Sequence, residues 1–416
     1  MSEPFPFAEA TPNTVPAGEL SRCYERLHEL AESTYYHSRS GLTFVWRYED
    51  VKEVLEARTS GLTKKNSLDP LHGYGNIARN PFAIPPFVRH LVPPPAPATA
   101  NNTDPELHGR IWGAMAGPEG YFRVPDSAAA QADMKRHFAE ALDSGSVAAE
   151  IDISGMVAPK FSAQVMTQWA GLPPESAELV QVWSRAQSGL LGRTYANLRE
   201  QARAVSGLGN LFTVSDRIVR RRMREPADDF ASHLLARDIP PRYVVAALAN
   251  SLAAGVFTVS GTIEKTVHGL LSDPVRTQWN QLGDPARARV IGREGLRMYP
   301  GLVGWKAGAR ESVTLKSGTK LPRGPILTMI EAANRDPRIF ADPNDFQPDR
   351  RGAQPLTFGQ GEHVCPGQWI ARIAVQTFLE ELHHHAPQAR IIPADTPTTP
   401  QPDLLFSGAQ VRVCPA

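Results

Sequence analysis

At 416 residues, 42% of them hydrophobic, the chain has enough apolar material for one sizeable core. Its 44 basic side chains face 43 acidic ones, a formal net charge of +1. That balance gives no global field for nucleic acid, and no basic stripe interleaves with aromatics, although a local basic patch could still dock an acidic protein. Three cysteines, Cys23, Cys365 and Cys414, are too few and too scattered for a disulfide framework. The first ten residues hold neither the basic region nor the apolar core of a secretory signal. No apolar run is expected to span a bilayer. These features point to a cytoplasmic protein without a membrane partner. No Gly/Ser tract, charge block or repeat interrupts residues 1–416, which are read as a single domain.

In chain order, Tyr24 to Leu55 mixes a helical pattern with the strand-like Leu42-Thr43-Phe44-Val45-Trp46. Residues 63–102 read as irregular and proline-rich, a length of loop that often serves as a lid. Phe82, Ile84 and Phe87 lie in it and are candidate wall residues or a hydrophobic staple under the loop. Helices follow between Ser127 and Arg224, and the cluster Arg217, Arg220, Arg221, Arg222 and Arg224 reads as a solvated helix face and terminus. Pro240 and Pro241 precede a long apolar helix from about Val244 to Leu271. Within it lies Ala254-Gly255-Val256-Phe257-Thr258, where the Thr258 hydroxyl can take over a backbone carbonyl and open a groove. Glu294 and Arg297 stand one turn apart and can pair on one helix face.

The most informative segment is Phe358-Gly359-Gln360-Gly361-Glu362-His363-Val364-Cys365-Pro366-Gly367. Two glycines make an open loop, and Pro366 suits a first helical turn. Ile370, Ala374, Phe378 and Leu382 then repeat every four residues. A sulfur at such a helix start feels the positive end of the dipole, which favours thiolate and suits it to bind iron. A buried free cysteine acting as a small hydrophobe is the plainer alternative, but it explains neither the glycines nor the proline. His383, His384 and His385 are a weaker metal candidate, because consecutive residues on a helix point in different directions.

The Cys365 segment with Ile370-Ala371-Arg372 resembles the haem-binding loop of the cytochromes P450. Glu294-Gly295-Leu296-Arg297 is similar to the family's Glu-x-x-Arg helix, with Arg350 as the third member of its ion-pair group. Ala333-Asn334-Arg335-Asp336-Pro337, continuing through Phe340, Pro343, Phe346 and Pro348, resembles the approach to the cysteine loop. Asp104-Pro105-Glu106-Leu107-His108-Gly109-Arg110 resembles the helix that meets a haem propionate. The resemblance implies a mainly α fold with a small β-rich part. Its triangular single domain would hold haem b between the central long helix and the Cys-loop helix. Cys365 would be the axial thiolate, whose electron donation promotes O–O cleavage. Phe358, Gly359 and Gly367 would line the sulfur. His108, Trp112, His363 and Arg310 (or Lys306) would meet the propionates.

The resemblance further implies a monooxygenase that inserts one oxygen atom from O2 into a small or medium hydrophobic substrate, aromatic ones included, by hydroxylation or O-dealkylation. Electrons would come from NAD(P)H through a separate ferredoxin and ferredoxin reductase, and the enzyme would act as a monomer. Gly255 and Thr258 match the family's oxygen groove, but the acid usual between them is Phe257. A phenyl ring relays no protons. That departure keeps two other readings open: an H2O2-using peroxygenase, and a natural-product tailoring enzyme running an atypical oxidation. Asn250, Ala253 and Ala254 on the central helix are the expected substrate contacts, with Phe82 and Phe87, Val303 after the Glu-x-x-Arg helix, and Phe406 near the end of the chain.

Overall fold

The computed structural model describes residues 5–7, 17–37, 41–57, 59–63, 80–91, 105–123, 128–147, 150–192, 197–272, 274–393, 405 and 407–415. Helix α1 (Ala17–Glu29) leads into β1 (Thr34–His37), β2 (Leu42–Val45), α2 (Tyr48–Glu56) and β3 (Leu62–Thr63). The stretch read as irregular contains a short helix, α3 (Ile84–His90), which opens with prolines in its first turn, where no amide proton is needed. Next come α4 (Pro105–Ala116), α5 (Ala128–Gly145), β4 (Ser146–Val147) and β5 (Glu150–Asp152). They are followed by α6 (Ala158–Trp169) and α7 (Ala177–Gly192). Helix α8 (Leu198–Arg222) starts at a capping box in which Asn197 and Glu200 satisfy each other's amides. The short α9 (Phe230–Leu235) is capped by Asp229.

Helix α10 (Pro241–Leu271) is the long apolar helix expected from the sequence, with Pro241 in its first turn. Its length and its mean hydropathy of 1.6 over 18 residues would suffice to cross a membrane, which corrects the expectation that no run reaches that size. Yet 61% of that window is buried inside the fold, and α10 packs on α6, α7 and α8. Then follow α11 (Arg276–Trp279), α12 (Pro285–Met298), β6 (Trp305–Ala309), β7 (Val313–Thr314), β8 (Lys320–Leu321), β9 (Gly324–Thr328) and α13 (Ile330–Ala333). Helix α14 (Gln368–His385) packs against α10 and α12, and β10 (Arg390–Ile391) and β11 (Arg412–Cys414) end the described fold.

The molecule is mainly helical, with three small sheets among the described residues. One sheet has the order β1-β2-β9-β6-β3, where only the β2–β9 pairing is parallel. A second runs β10-β11-β5-β4, and β7 and β8 form a two-stranded hairpin. Ile370, Ala374, Phe378 and Leu382 of α14 are all buried, so the spacing of four marks the face that seats this helix on the core. That seating fixes the loop immediately before it.

Candidate active site

The approach to the cysteine loop is fixed by a buried polar network. Both carboxylate oxygens of Glu294 accept from Arg297, at 2.7 and 3.0 Å, and Arg350 adds a third bond at 3.4 Å. Arg297 donates onward to the carbonyls of Asn334, Pro343 and Asp345. The Asn334 side chain donates to the Arg297 carbonyl (3.1 Å) and to Thr357 Oγ1 (2.9 Å), and accepts the Leu356 amide at 2.7 Å. Thr357 closes the circuit on the Leu296 carbonyl. The end of α12 and the start of the loop therefore form one rigid unit.

Gly359 and Gly361 turn the loop with φ of 72° and 75°, a region that disfavours any Cβ. The Cys365 amide donates to the Phe358 carbonyl at 2.7 Å, which folds the loop back over itself. Helix α14 begins at Gln368, two residues later than the Pro366 start read from the sequence, and the Gly367 amide donates to the Cys365 sulfur. Burial nevertheless pushes the Cys365 thiol up, outweighing that amide and the nearby Arg372. The Gly367 amide and Arg372 favour the thiolate, as the helix start predicts, and a bound cationic metal would add to them against the cost of burial.

Three of the four expected propionate partners converge on this loop. His108 on α4 contacts the Glu362 carbonyl at 3.0 Å, Trp112 donates to the Val364 carbonyl at 3.0 Å, and the His108 and His363 rings lie 4.6 Å apart. Arg310 does not join them. It lies exposed just beyond β6, its amide bonded to the Gly61 carbonyl and its side chain without a partner among the described residues.

On α10, a largely buried helix, the sequence Ala254-Gly255-Val256-Phe257-Thr258 holds the one exposed residue beyond the first turn. Ala254 is exposed and Phe257 and Thr258 are half-buried, while Leu252, Ala253 and Val256 are buried. The Thr258 hydroxyl donates to the Ala254 carbonyl at 2.7 Å, which directs its one proton along the helix. Gly255 answers a packing demand: a Cβ there would lie 2.3 Å from Met166 Sδ on α6. Phe257 packs on the cluster that contains Phe7, Trp46 and Leu405. Asn250 donates to the Ala246 carbonyl at 2.7 Å, keeping its amide oxygen as an acceptor.

The remaining expected contacts are scattered. Phe87 is half-buried against the main core. Phe82 is exposed beneath the Arg199 guanidinium, 5.8 Å from its ring centre. Val303 is only 2% exposed and is held by its amide to the Leu405 carbonyl, so it is placed in the core. Phe406 lies outside the described residues.

Sequence reasoning missed two features. Lys265, buried on α10, pairs with Glu331 at 2.8 Å, and Arg335 lies 3.5 Å from the same carboxylate. A lysine inside an apolar helical run was the available signal. Thr262 donates to the Thr258 carbonyl at 2.9 Å and accepts the Gly301 amide at 2.8 Å, tying the central helix to the chain after α12. Nothing in the sequence pattern marked that bridge.

The family model for cytochrome P450 matches residues 289–385, which span α12 through α14 and include the whole cysteine loop. Over that stretch the chain matches the cytochrome P450 family. It is 30% identical over 249 residues to the mycinamicin IV hydroxylase/epoxidase of Micromonospora griseorubida, covering 58% of this chain and 60% of that one. It is 28% identical over 244 residues to the erythromycin C-12 hydroxylase of Saccharopolyspora erythraea, covering 56% and 60%. The matched stretches thus span 60% of the length of each relative. Two solved structures share the fold. They are CalO2 (TM-score 0.76, 22% identity, 97% of this chain and 98% of that one) and epothilone D-bound P450epoK (TM-score 0.78, 21% identity, 97% and 98%).

The family implies haem held by a cysteine thiolate, and the residues present fit it. The sulfur sits in a loop whose residues from Phe358 to Trp369 are half-buried apart from the exposed Glu362, between the buried Leu356 and Thr357 on one side and Ile370 on the other. Nitrogen donors border that loop, and α10 exposes Ala254 to open space mid-helix. A flat apolar group with two carboxylates is what such a setting accommodates.

Proposed function

We propose that this protein is a haem-thiolate monooxygenase that inserts one oxygen atom from O2 into a hydrophobic organic substrate. Cys365 is its axial ligand, and electrons come from a separate ferredoxin system. The observation that carries the reading is that the fold holds both an amide-bonded Cys365 sulfur before α14 and, on the largely buried α10 that packs on α14, an exposed Ala254 with a half-buried Thr258. Bound haem would supply the activation of oxygen, which is itself the oxidant.

The protein's own residues do the rest. Gly367 donates to the sulfur and steadies its charge, His108 and His363 stand where propionates need donors, and Trp112, its one N–H held by the Val364 carbonyl, braces the loop. Arg310 and Lys306 remain the cationic candidates from the sheet. Ala254 leaves room for substrate on the central helix, Asn250 offers one acceptor to orient a polar group, and Ala253 and Phe87 add apolar surface. Thr258 Oγ1 holds a proton on the Ala254 carbonyl, from which it can swing to a reacting oxygen. The relatives named as hydroxylases of mycinamicin IV and erythromycin favour a natural-product scaffold as substrate.

A second reading rests on Phe257. With no acid at that position, hydrogen peroxide, which brings its own protons, is an alternative oxidant, as is an atypical oxidation in which substrate groups move the protons. The deciding experiment compares product formation by haem-loaded protein with ferredoxin, reductase and NADH against peroxide alone. Faster turnover with the electron chain supports the monooxygenase. Equal or better turnover with peroxide replaces it with the peroxygenase. Absence of the red-shifted absorption of reduced, CO-bound haem-thiolate would remove both.

A further inference from the structure

Arg372 stands on the first turns of α14, and its guanidinium carbon lies 5.2 Å from the centre of the Phe358 ring. The carbonyl of that same Phe358 accepts the Cys365 amide at 2.7 Å, so the stacked cation and the sulfur share one short stretch of backbone. The two side chains are close enough for each charge to act on the other. Among the described residues no carboxylate pairs with Arg372; the other charged group acting on it is Arg293, of the same sign. Arg297 and Arg350, by contrast, both pair with the Glu294 carboxylate.

We propose that Arg372 raises the reduction potential of the bound haem, as an uncompensated cation held against Phe358, whose carbonyl accepts the Cys365 amide. The inference rests on the haem-thiolate reading above. Reduction adds one electron to the iron–thiolate unit, and a fixed positive charge beside the sulfur favours the more negative, ferrous state. Arg372 therefore raises the potential. Because its side chain is exposed, mobile ions screen it, and the effect weakens as salt rises. The planar guanidinium is what stacks on the ring, so lysine keeps the charge but not the placement.

The test is the midpoint potential of haem-loaded protein at low and high salt, for the natural chain, Arg372→Gln and Arg372→Lys. The CO-bound ferrous spectrum of each is recorded first. Arg372→Gln is expected to fall below the natural chain at low salt, with Arg372→Lys between them. The natural chain's potential should drop on adding salt while that of Arg372→Gln moves less. Equal potentials for the natural chain and Arg372→Gln at low salt, with thiolate spectra intact, overturn the proposal. If Arg372→Gln does not retain haem, Arg372→Met replaces it, and a salt-independent potential in the natural chain is by itself sufficient to overturn. Loss of the thiolate spectrum from the natural chain is a different failure, that of the haem-thiolate reading.

Discussion

Gly301 lies so close to Thr258 that a Cβ on it would sit 2.1 Å from the Thr258 carbonyl oxygen. The same carbonyl accepts the Thr262 hydroxyl, which in turn accepts the Gly301 amide. Three residues therefore lock the turn of α10 that carries Thr258 onto the chain after α12. Gly301→Ala must push the helix away, an overpacking cost of about 1–3 kcal/mol. Urea denaturation and haem content measure it. A variant as stable as the natural chain would show that residues 301–303 can retreat and that the lock is loose.

Removing Glu294 should be costlier. Its carboxylate accepts from Arg297, Arg350 and the Gln347 amide, and Arg297 is 2% exposed. Glu294→Gln leaves two guanidinium groups without a countercharge, a loss of about 3–5 kcal/mol. Since Asn334 couples this group to the residues before Cys365, haem retention should fall with stability. A folded, haem-poor protein would separate the two effects.

These two sites differ in how far the sequence disclosed them. Glu294 and Arg297 were legible because one helical turn fixes their spacing, and the seating of α14 was legible from four apolar positions on one face. The Gly301–Thr262–Thr258 lock was not, since it depends on how two distant segments meet and any threonine in a helix looks the same. Helix α3 was hidden by its prolines, which read as loop although they occupy a first turn.

Glu264 should impose a pH dependence on stability. Burial pushes its carboxyl up to about 8, despite bonds from the Ala409 amide and Ser260. The unfolded chain ionises this group near the usual carboxylate value while the folded chain keeps it neutral. Between roughly pH 4.5 and 8 the folded state therefore holds a proton that the unfolded state has released. Its contribution to stability then falls as pH rises, by up to about 1.4 kcal/mol per pH unit, and levels off above pH 8. Glu264→Gln should remove this slope, so the difference in melting temperature between variant and natural chain should grow from pH 5 to pH 8. A constant difference would place Glu264 in contact with water.

The α3 helix is pinned along α8 at both ends. Asn80 donates to the Leu198 carbonyl (2.9 Å) and to Gln201 (3.3 Å), and His90 Nδ1 meets Thr213 Oγ1 at 2.8 Å. The helices approach at Gly209, where a Cβ would lie 2.5 Å from His90 Cβ. Gly209→Ala should lift the end of α3 and speed hydrogen exchange of its amides by about tenfold or more, the equivalent of about 1.4 kcal/mol of local opening. Unchanged exchange would mean that Asn80 alone holds the helix.

The missing acid gives the sharpest test of the proposed chemistry. Phe257→Asp would restore a proton-carrying group next to Thr258, but the ring it replaces packs on the cluster around Phe7, Trp46 and Leu405. Losing a half-buried ring and placing a carboxyl against apolar surface should lower stability by about 1–3 kcal/mol. The same apolar surroundings should hold that carboxyl partly protonated near neutral pH, the form able to donate. Product formed per NADH consumed with the ferredoxin system should therefore rise several-fold even as the melting temperature drops, while peroxide-driven turnover, which needs no delivered protons, should not gain. If folded Phe257→Asp protein shows the same yield per NADH, proton supply is not what Phe257 limits, and Thr258 with ordered water already suffices.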